Sequence, residues 1–260
     1  MITPQSKFHE NFSRGQADPV IIKKSPGAGV QLRRQTKRPI KAEKRKIMQL
    51  KSERERVAAF GRKLREAGLV TGTFGNVSLY DPASGLMAIS PSGLDYDAVG
   101  AADVAVVDLD GRWVEGARRP SSEVDLHRIF YRHRSEITGI IHTHSVYATT
   151  LACRQEAIPP IHYLVGYAGR EVPCTAYYPF GSQALADAAF AAMGPGKACL
   201  LGNHGLLALG TDIAEAFDVA EQIEYVARLY VQLKPLGAPV LLTDAQIDAA
   251  TAALAGYHRS

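Results

Sequence analysis

Residues 137–145, ITGIIHTHS, join an apolar run to two histidines one residue apart. A run of this kind reads as a β-strand leaving the core. Side chains two apart on a strand point to the same face, so His142 and His144 project side by side. Taken alone, the pair fits two descriptions: ligands for a metal ion, or polar residues where a strand meets solvent.

On the N-terminal side, residues 49–67 are rich in helix formers with apolar positions at helical spacing, and Gly68 is a natural stop. Residues 71–93 read as loop, strand, turn, strand and a Pro-Ser-Gly loop. Residues 101–116 read as a hairpin with Asp110-Gly111 at its turn. Ser121 or Ser122 is placed to cap a helix from about Glu123 to His133. After the histidines come a short helix, loop and strand over 161–180, and a helix from Ser182. Two strands then flank an Asn203-His204-Gly205 turn, followed by a long amphipathic helix over 212–234 and a last helix with Thr243 as N-cap. Strands in the middle with helices before, between and after them predict an α/β fold of three layers, α/β/α, around a mixed, largely antiparallel sheet.

Length and composition fit a globular chain: 260 residues, 46% hydrophobic and 22% charged. The net charge of +4 is unevenly spread. Residues 1–47 carry 12 Lys and Arg against 3 Asp and Glu, leaving residues 48–260 with a net charge of −5. The basic stretch lacks periodicity and large apolar residues, so it reads as a disordered extension, non-native or created by an early start codon. The second unit, 48–260, opens at Met48 and holds the globular domain. No nucleic-acid or membrane partner is expected. No apolar run nears the roughly 18 residues of a membrane span, and the N-terminus lacks a secretory pattern. Cys153, Cys174 and Cys199 are scattered, without a CxxC pair, which favours a reducing cytoplasm and argues against a thiolate metal site.

A catalytic zinc takes three protein ligands and keeps an open position. His204 can supply the third, because it sits in a glycine-flanked turn between apolar strands. With it, a metal site becomes the better of the two descriptions. His127 stands four residues after Glu123, but that spacing arises often by chance; His133, His162 and His258 have weaker claims. A second set of residues suits an anion: Gly75 and Asn76, Ser92 and Gly93, and Ser121 and Ser122 combine small size with hydroxyl, amide or main-chain donors. Each stretch alone is compatible with an ordinary loop or cap.

The ordered set GNVS (75–78), SPSG (90–93), PSSEVDLH (120–127), HTHS (142–145), IPPIHY (158–163), PFG (179–181) and NHG (203–205) resembles the class II aldolase/adducin family. The likeness is strongest to its L-fuculose-phosphate aldolase branch and covers roughly residues 50–257. It implies zinc, or another divalent metal, one per subunit, on His142, His144 and His204. It implies Glu123 as catalytic acid/base and Gly75, Asn76, Ser92, Gly93, Ser121 and Ser122 as the substrate phosphate site. Tyr163 and Phe180 match residues on the aldehyde side, and Tyr257 matches a proton donor reaching a neighbouring subunit. The implied assembly is a homotetramer with inter-subunit sites.

The implied reaction is reversible cleavage of a ketose 1-phosphate to dihydroxyacetone phosphate and an aldehyde through a zinc-stabilised enediolate. No Schiff-base lysine is needed, and beyond residue 63 only Lys197 and Lys234 occur, outside these motifs. The same fold hosts pentulose-phosphate 4-epimerases, methylthioribulose-phosphate dehydratases and non-catalytic adducin-like modules. The epimerases generally carry aspartate where Glu123 stands. The dehydratases share the glutamate but fit IPPIHY, PFG and Tyr257 less well, and a non-catalytic module should have lost ligands. Leu164, Val165, Tyr167, Tyr177 and Tyr178 suggest an apolar aldehyde pocket suited to L-fuculose 1-phosphate or a 5-deoxyribulose or 5-methylthioribulose 1-phosphate.

Overall fold

In the computed structural model, which describes residues 48–257, ITGIIHTHS supplies the strand at the centre of the sheet, Gly139–Thr143. The extension expected over 1–47 and the last three residues lie outside the described residues, as do the side chains beyond Leu254. Both faces of this strand are buried. Ile141 joins a core with Val77, Leu79, Leu206 and Ala208. Ile140 joins a second core with Met87, Ile89, Leu207 and Leu209. Fully burying one such aliphatic side chain stabilises by roughly 1.5–3 kcal/mol. The two-sided burial explains why the run is continuously apolar rather than alternating.

The elements in order are α1 (Lys51–Glu66), β1 (Asn76–Asp81), β2 (Leu86–Ile89), β3 (Ala105–Asp108), β4 (Trp113–Glu115), α2 (Val124–His133), β5 (Gly139–Thr143) and α3 (Val146–Cys153). They continue with a 3-10 turn (Tyr163–Tyr167), α4 (Gln183–Met193), β6 (Ala198–Leu201), β7 (Gly205–Gly210), α5 (Ile213–Leu233), a short 3-10 turn (Lys234–Leu236) and α6 (Asp244–Tyr257). The seven strands form one sheet in the order β4-β3-β2-β1-β5-β7-β6. Helices α1, α3 and α5 contribute to the core on one face. Helices α2 and α4 contribute to the core on the other. The α/β/α layering expected from the sequence is therefore present. All ladders between named strands are antiparallel, and the parallel component is an isolated bridge between Cys174 and Leu200.

Two local expectations change. Residues 161–180 form the 3-10 turn and isolated bridges, such as Ile158 to Val172, rather than a strand. The cap of α2 is Glu123 itself; Ser121, two residues before that position, accepts at Oγ from the Glu123 N–H at 3.3 Å. Thr243 does cap α6. Its Oγ1 accepts from Gln246 N at 3.3 Å while Gln246 Oε1 accepts from Thr243 N at 2.8 Å, a reciprocal capping box. Among the described residues no helix is long and apolar enough to cross a membrane.

Candidate active site

Three strand ends bring the histidines together. Asn76 on β1 pairs with His142 on β5, and His142 pairs with Leu207 on β7. His144 lies just past β5, where Glu224 of α5 accepts from the N–H groups of Tyr147 and Ala148 at 2.8 Å each and fixes the start of α3. His204 sits in the β6–β7 turn, with Asn203 in the left-handed conformation at φ 55°. Gly205 is required there: a Cβ would come within 2.2 Å of the Thr143 carbonyl oxygen and 3.2 Å of the His142 ring.

The ring centroids stand 4.6 to 5.0 Å apart, and one ligand nitrogen from each ring lies within 4.8 Å of the others. His142 Nδ1 donates to the Leu206 carbonyl at 3.0 Å, which fixes the tautomer and leaves Nε2 with its lone pair toward the cluster. That Nε2 is 3.0 Å from His144 Nε2. Burial pushes His142 and His204 down to about 3 and lowers His144 as well, so all three are neutral at neutral pH. Neutral imidazoles with converging lone pairs, anchored from behind by a main-chain acceptor, fit a divalent cation of the zinc type.

Glu123 faces this cluster. Its Oε2 is 3.4 Å from His142 Nε2, and its Oε1 is 3.4 Å from His204 Nε2. Asn76 Nδ2 donates to Oε2 at 2.8 Å, whereas Oε1 is buried and has no hydrogen-bond partner among the described residues. One carboxylate oxygen is tied by Asn76 and the other faces His204 without a hydrogen-bond partner.

A cavity of about 410 Å³ opens in front of Glu123, His144 and His204. Its wall includes all six residues expected to meet the phosphate: Gly75, Asn76, Ser92, Gly93, Ser121 and Ser122. Gly75 holds φ +78°, and a Cβ there would stand 2.7 Å from the His142 carbonyl oxygen, so the loop lies directly against the metal-ligand strand. The Asn76 side chain is engaged at both ends, by Glu123 and by His127, and its main chain pairs with His142 in the sheet. Phe180, Tyr177 and Tyr178 line the cavity as expected. Tyr163 does not: it is half exposed in the 3-10 turn, with its ring 4.6 Å from that of His162. Val165 is in the core, and Leu164 and Tyr167 pack against it. Tyr257 is the last residue of α6, and its side chain lies outside those described.

Two residues passed over in the sequence belong here. Phe74 lines the cavity and stacks on His144 at 5.5 Å, and its place directly before Gly75 was the available signal. His127 stays outside the histidine cluster, as expected from the sequence, but it is fully buried and bonds to Asn76.

The comparisons with known proteins meet this geometry. The family model described as Class II Aldolase and Adducin N-terminal domain matches residues 55–231. The chain belongs to the class II aldolase and adducin family. A relative from Bacillus thuringiensis serovar kurstaki, 5-deoxy-D-ribulose 1-phosphate aldolase, is 45% identical over 210 residues, covering 81% of this chain and 99% of the relative. A 5-methylthioribulose-1-phosphate/5-deoxyribulose-1-phosphate aldolase from Rhodospirillum rubrum is 36% identical over 188 residues, covering 72% of this chain and 84% of that protein. A solved structure described as L-fuculose 1-phosphate aldolase superposes with a TM-score of 0.76 at 40% identity, covering 78% of this chain and 96% of that one. These class II aldolases are lyases, and the enzyme class extends to this chain.

Proposed function

We propose that this class II aldolase cleaves a ketose 1-phosphate with a deoxygenated or otherwise apolar tail, of the 5-deoxyribulose, 5-methylthioribulose or L-fuculose 1-phosphate type. The products are dihydroxyacetone phosphate and an aldehyde. The observation that carries the reading is the placing of Glu123 between three converging imidazoles and a cavity lined by the serine-glycine loops. The 45% identical relative, named for 5-deoxy-D-ribulose 1-phosphate, supports the substrate class.

Ser92, Gly93, Ser121 and Ser122 hold the phosphate by hydroxyl and main-chain donors and set the ketone end of the substrate beside Glu123. A divalent cation on His142, His144 and His204, zinc by the donor set, supplies Lewis-acid stabilisation of the negative charge that develops on the ketone oxygen. Glu123 Oε1 delivers the proton to the dihydroxyacetone phosphate carbon after the carbon–carbon bond breaks, and removes it in the condensation direction. Phe74, Phe180, Tyr177 and Tyr178 offer the departing aldehyde apolar surface. Such a wall separates substrates differing by one methylene by only about 1–3 kcal/mol, so breadth among short apolar aldehydes is expected.

Tyr257 enters this scheme from a neighbouring subunit of a homotetramer, which the exposed aromatic mouth of the cavity supports. A fully active monomer by light scattering removes that role.

Product analysis tests the reading. The protein is incubated with zinc and a panel of ketose 1-phosphates plus a pentulose 5-phosphate. Dihydroxyacetone phosphate with an aldehyde is the expected result; an epimer or a dehydrated diketone overturns it.

A further inference from the structure

One row of buried polar groups starts at Glu123 and extends beyond the cavity to residues with no part in the scheme above. On α2 and its cap, Glu123, His127 and Tyr131 follow at intervals of four. On β1, Asn76, Ser78 and Tyr80 follow at intervals of two. Four helical residues advance about 6 Å, and two strand residues about 6.6 Å, so the two rows stay in step and their side chains interleave. Asn76 Nδ2 donates to Glu123 Oε2, and Asn76 Oδ1 bonds to His127 Nε2. His127 Nδ1 lies 2.6 Å from Ser78 Oγ, which lies 2.6 Å from the Tyr131 hydroxyl. Tyr80 then stacks on Tyr131 at 5.1 Å.

The direction of every bond follows from the carboxylate end. An ionised carboxylate only accepts, so Asn76 turns its NH2 to Glu123 and its oxygen to the helix. That oxygen needs a proton on His127 Nε2. A neutral ring then has an acceptor at Nδ1, to which Ser78 donates, and Tyr131 donates to Ser78. Each proton points toward Glu123, and bonds aligned this way polarise one another. A turned-over Asn76 amide would set its oxygen against the carboxylate and its NH2 against the His127 N–H, so the ring excludes it.

We propose that His127 is a positioning residue for Glu123: its Nε2–H tautomer, with Nδ1 accepting from Ser78, holds the Asn76 amide in this orientation. The amide in turn ties Oε2 and leaves Oε1 as the oxygen that exchanges the substrate proton. The proposal rests on the aldolase reading for its consequence, and on the hydrogen bonds alone for its tautomer.

Two measurements on the full-length protein test it. The first is the histidine ring nitrogen spectrum at neutral pH, with and without zinc. A proton-bearing Nε2 and a bare Nδ1 are expected at His127, and an Nδ1–H tautomer overturns the proposal. The second is kinetic. His127→Phe should keep zinc and KM while losing about 10- to 100-fold in kcat and in hydrogen exchange at the dihydroxyacetone phosphate carbon, the usual effect of losing an outer-shell partner. His127→Gln, which keeps a donor toward Asn76, should recover most of that loss. Wild-type rates in zinc-loaded His127→Phe overturn the role. A wild-type protein without exchange or cleavage on any sugar phosphate counts against the aldolase reading instead, while the tautomer still reports on the network. Should His127→Phe fail to fold, Ser78→Ala replaces it. Mixed tautomers and a smaller kcat loss at constant KM are expected, and an unchanged tautomer and rate refute the proposal.

Discussion

On the face covered by α1, α3 and α5, the central strands present Val77, Leu79, Ile141, Leu206 and Ala208, an apolar surface almost wholly closed to solvent. On the face covered by α2, beside the core around Ile140 and Leu207, β1 and β5 present Asn76, Ser78 and His142, a row equally closed but polar. The strands are the same, and only the parity of the residue differs. The apolar face holds the sheet together by burial, which tolerates small adjustments. The polar face holds groups whose hydrogen bonds must all be satisfied, because an unpaired buried polar group costs about 1–3 kcal/mol. A slip of one residue in β5 would exchange the two faces and destroy both.

The largest expected effect lies at the end of the polar face. His144→Ala should remove bound zinc and activity together, measured as metal per subunit and aldehyde release. A metal-free variant that remains fully active would break the assignment of the cluster. Glu123→Gln should follow, with zinc retained and hydrogen exchange at the dihydroxyacetone phosphate carbon lowered by about 10²- to 10⁴-fold. Undiminished exchange would mean that another group moves the proton.

On the apolar face the signature reverses. Ile141→Ala removes a fully buried side chain and should cost about 2–5 kcal/mol of stability, read from denaturant midpoints. The kcat of the protein that remains folded should stay near wild type. A large loss of kcat at full folding would show that the two faces are coupled more tightly than their separate cores suggest.

What the sequence made legible follows the same division. His142 and His144 could be paired because a strand period of two needs no knowledge of the fold, and the flanking glycines singled out His204. The Asn76–His127–Ser78–Tyr131 row could not be read, because it depends on which helix packs across which strand. In the sequence, the partners stand 47 to 53 positions apart. The helix expected to start on Ser121 or Ser122 starts after Glu123, since Ser121 spends its hydroxyl on the turn before it. Tyr163 and Tyr257 owe their roles to family likeness: Tyr163 is not among the cavity's lining residues, and the Tyr257 side chain lies outside those described.

The smallest expected effect separates the faces by acidity. Burial holds His127 at about 3 in the folded chain, against 6.5 for an ordinary histidine. As pH falls below 6.5 the unfolded chain takes up the proton first, so the stability that comes with a neutral His127 is complete above about 6.5. It is lost progressively toward about 3. His142 and His204 shift in the same direction and add to the slope of the metal-free protein. In urea titrations without metal, His127→Gln should therefore show a shallower loss across this window, by up to one proton's worth, about 1.4 kcal/mol per pH unit. Ile141→Ala should lower the whole curve and leave its slope alone, because it removes apolar area and no group that titrates. Equal slopes for His127→Gln and wild type would mean that this ring is not held neutral by its burial, and the contrast between the two faces would then rest on hydrogen bonding alone.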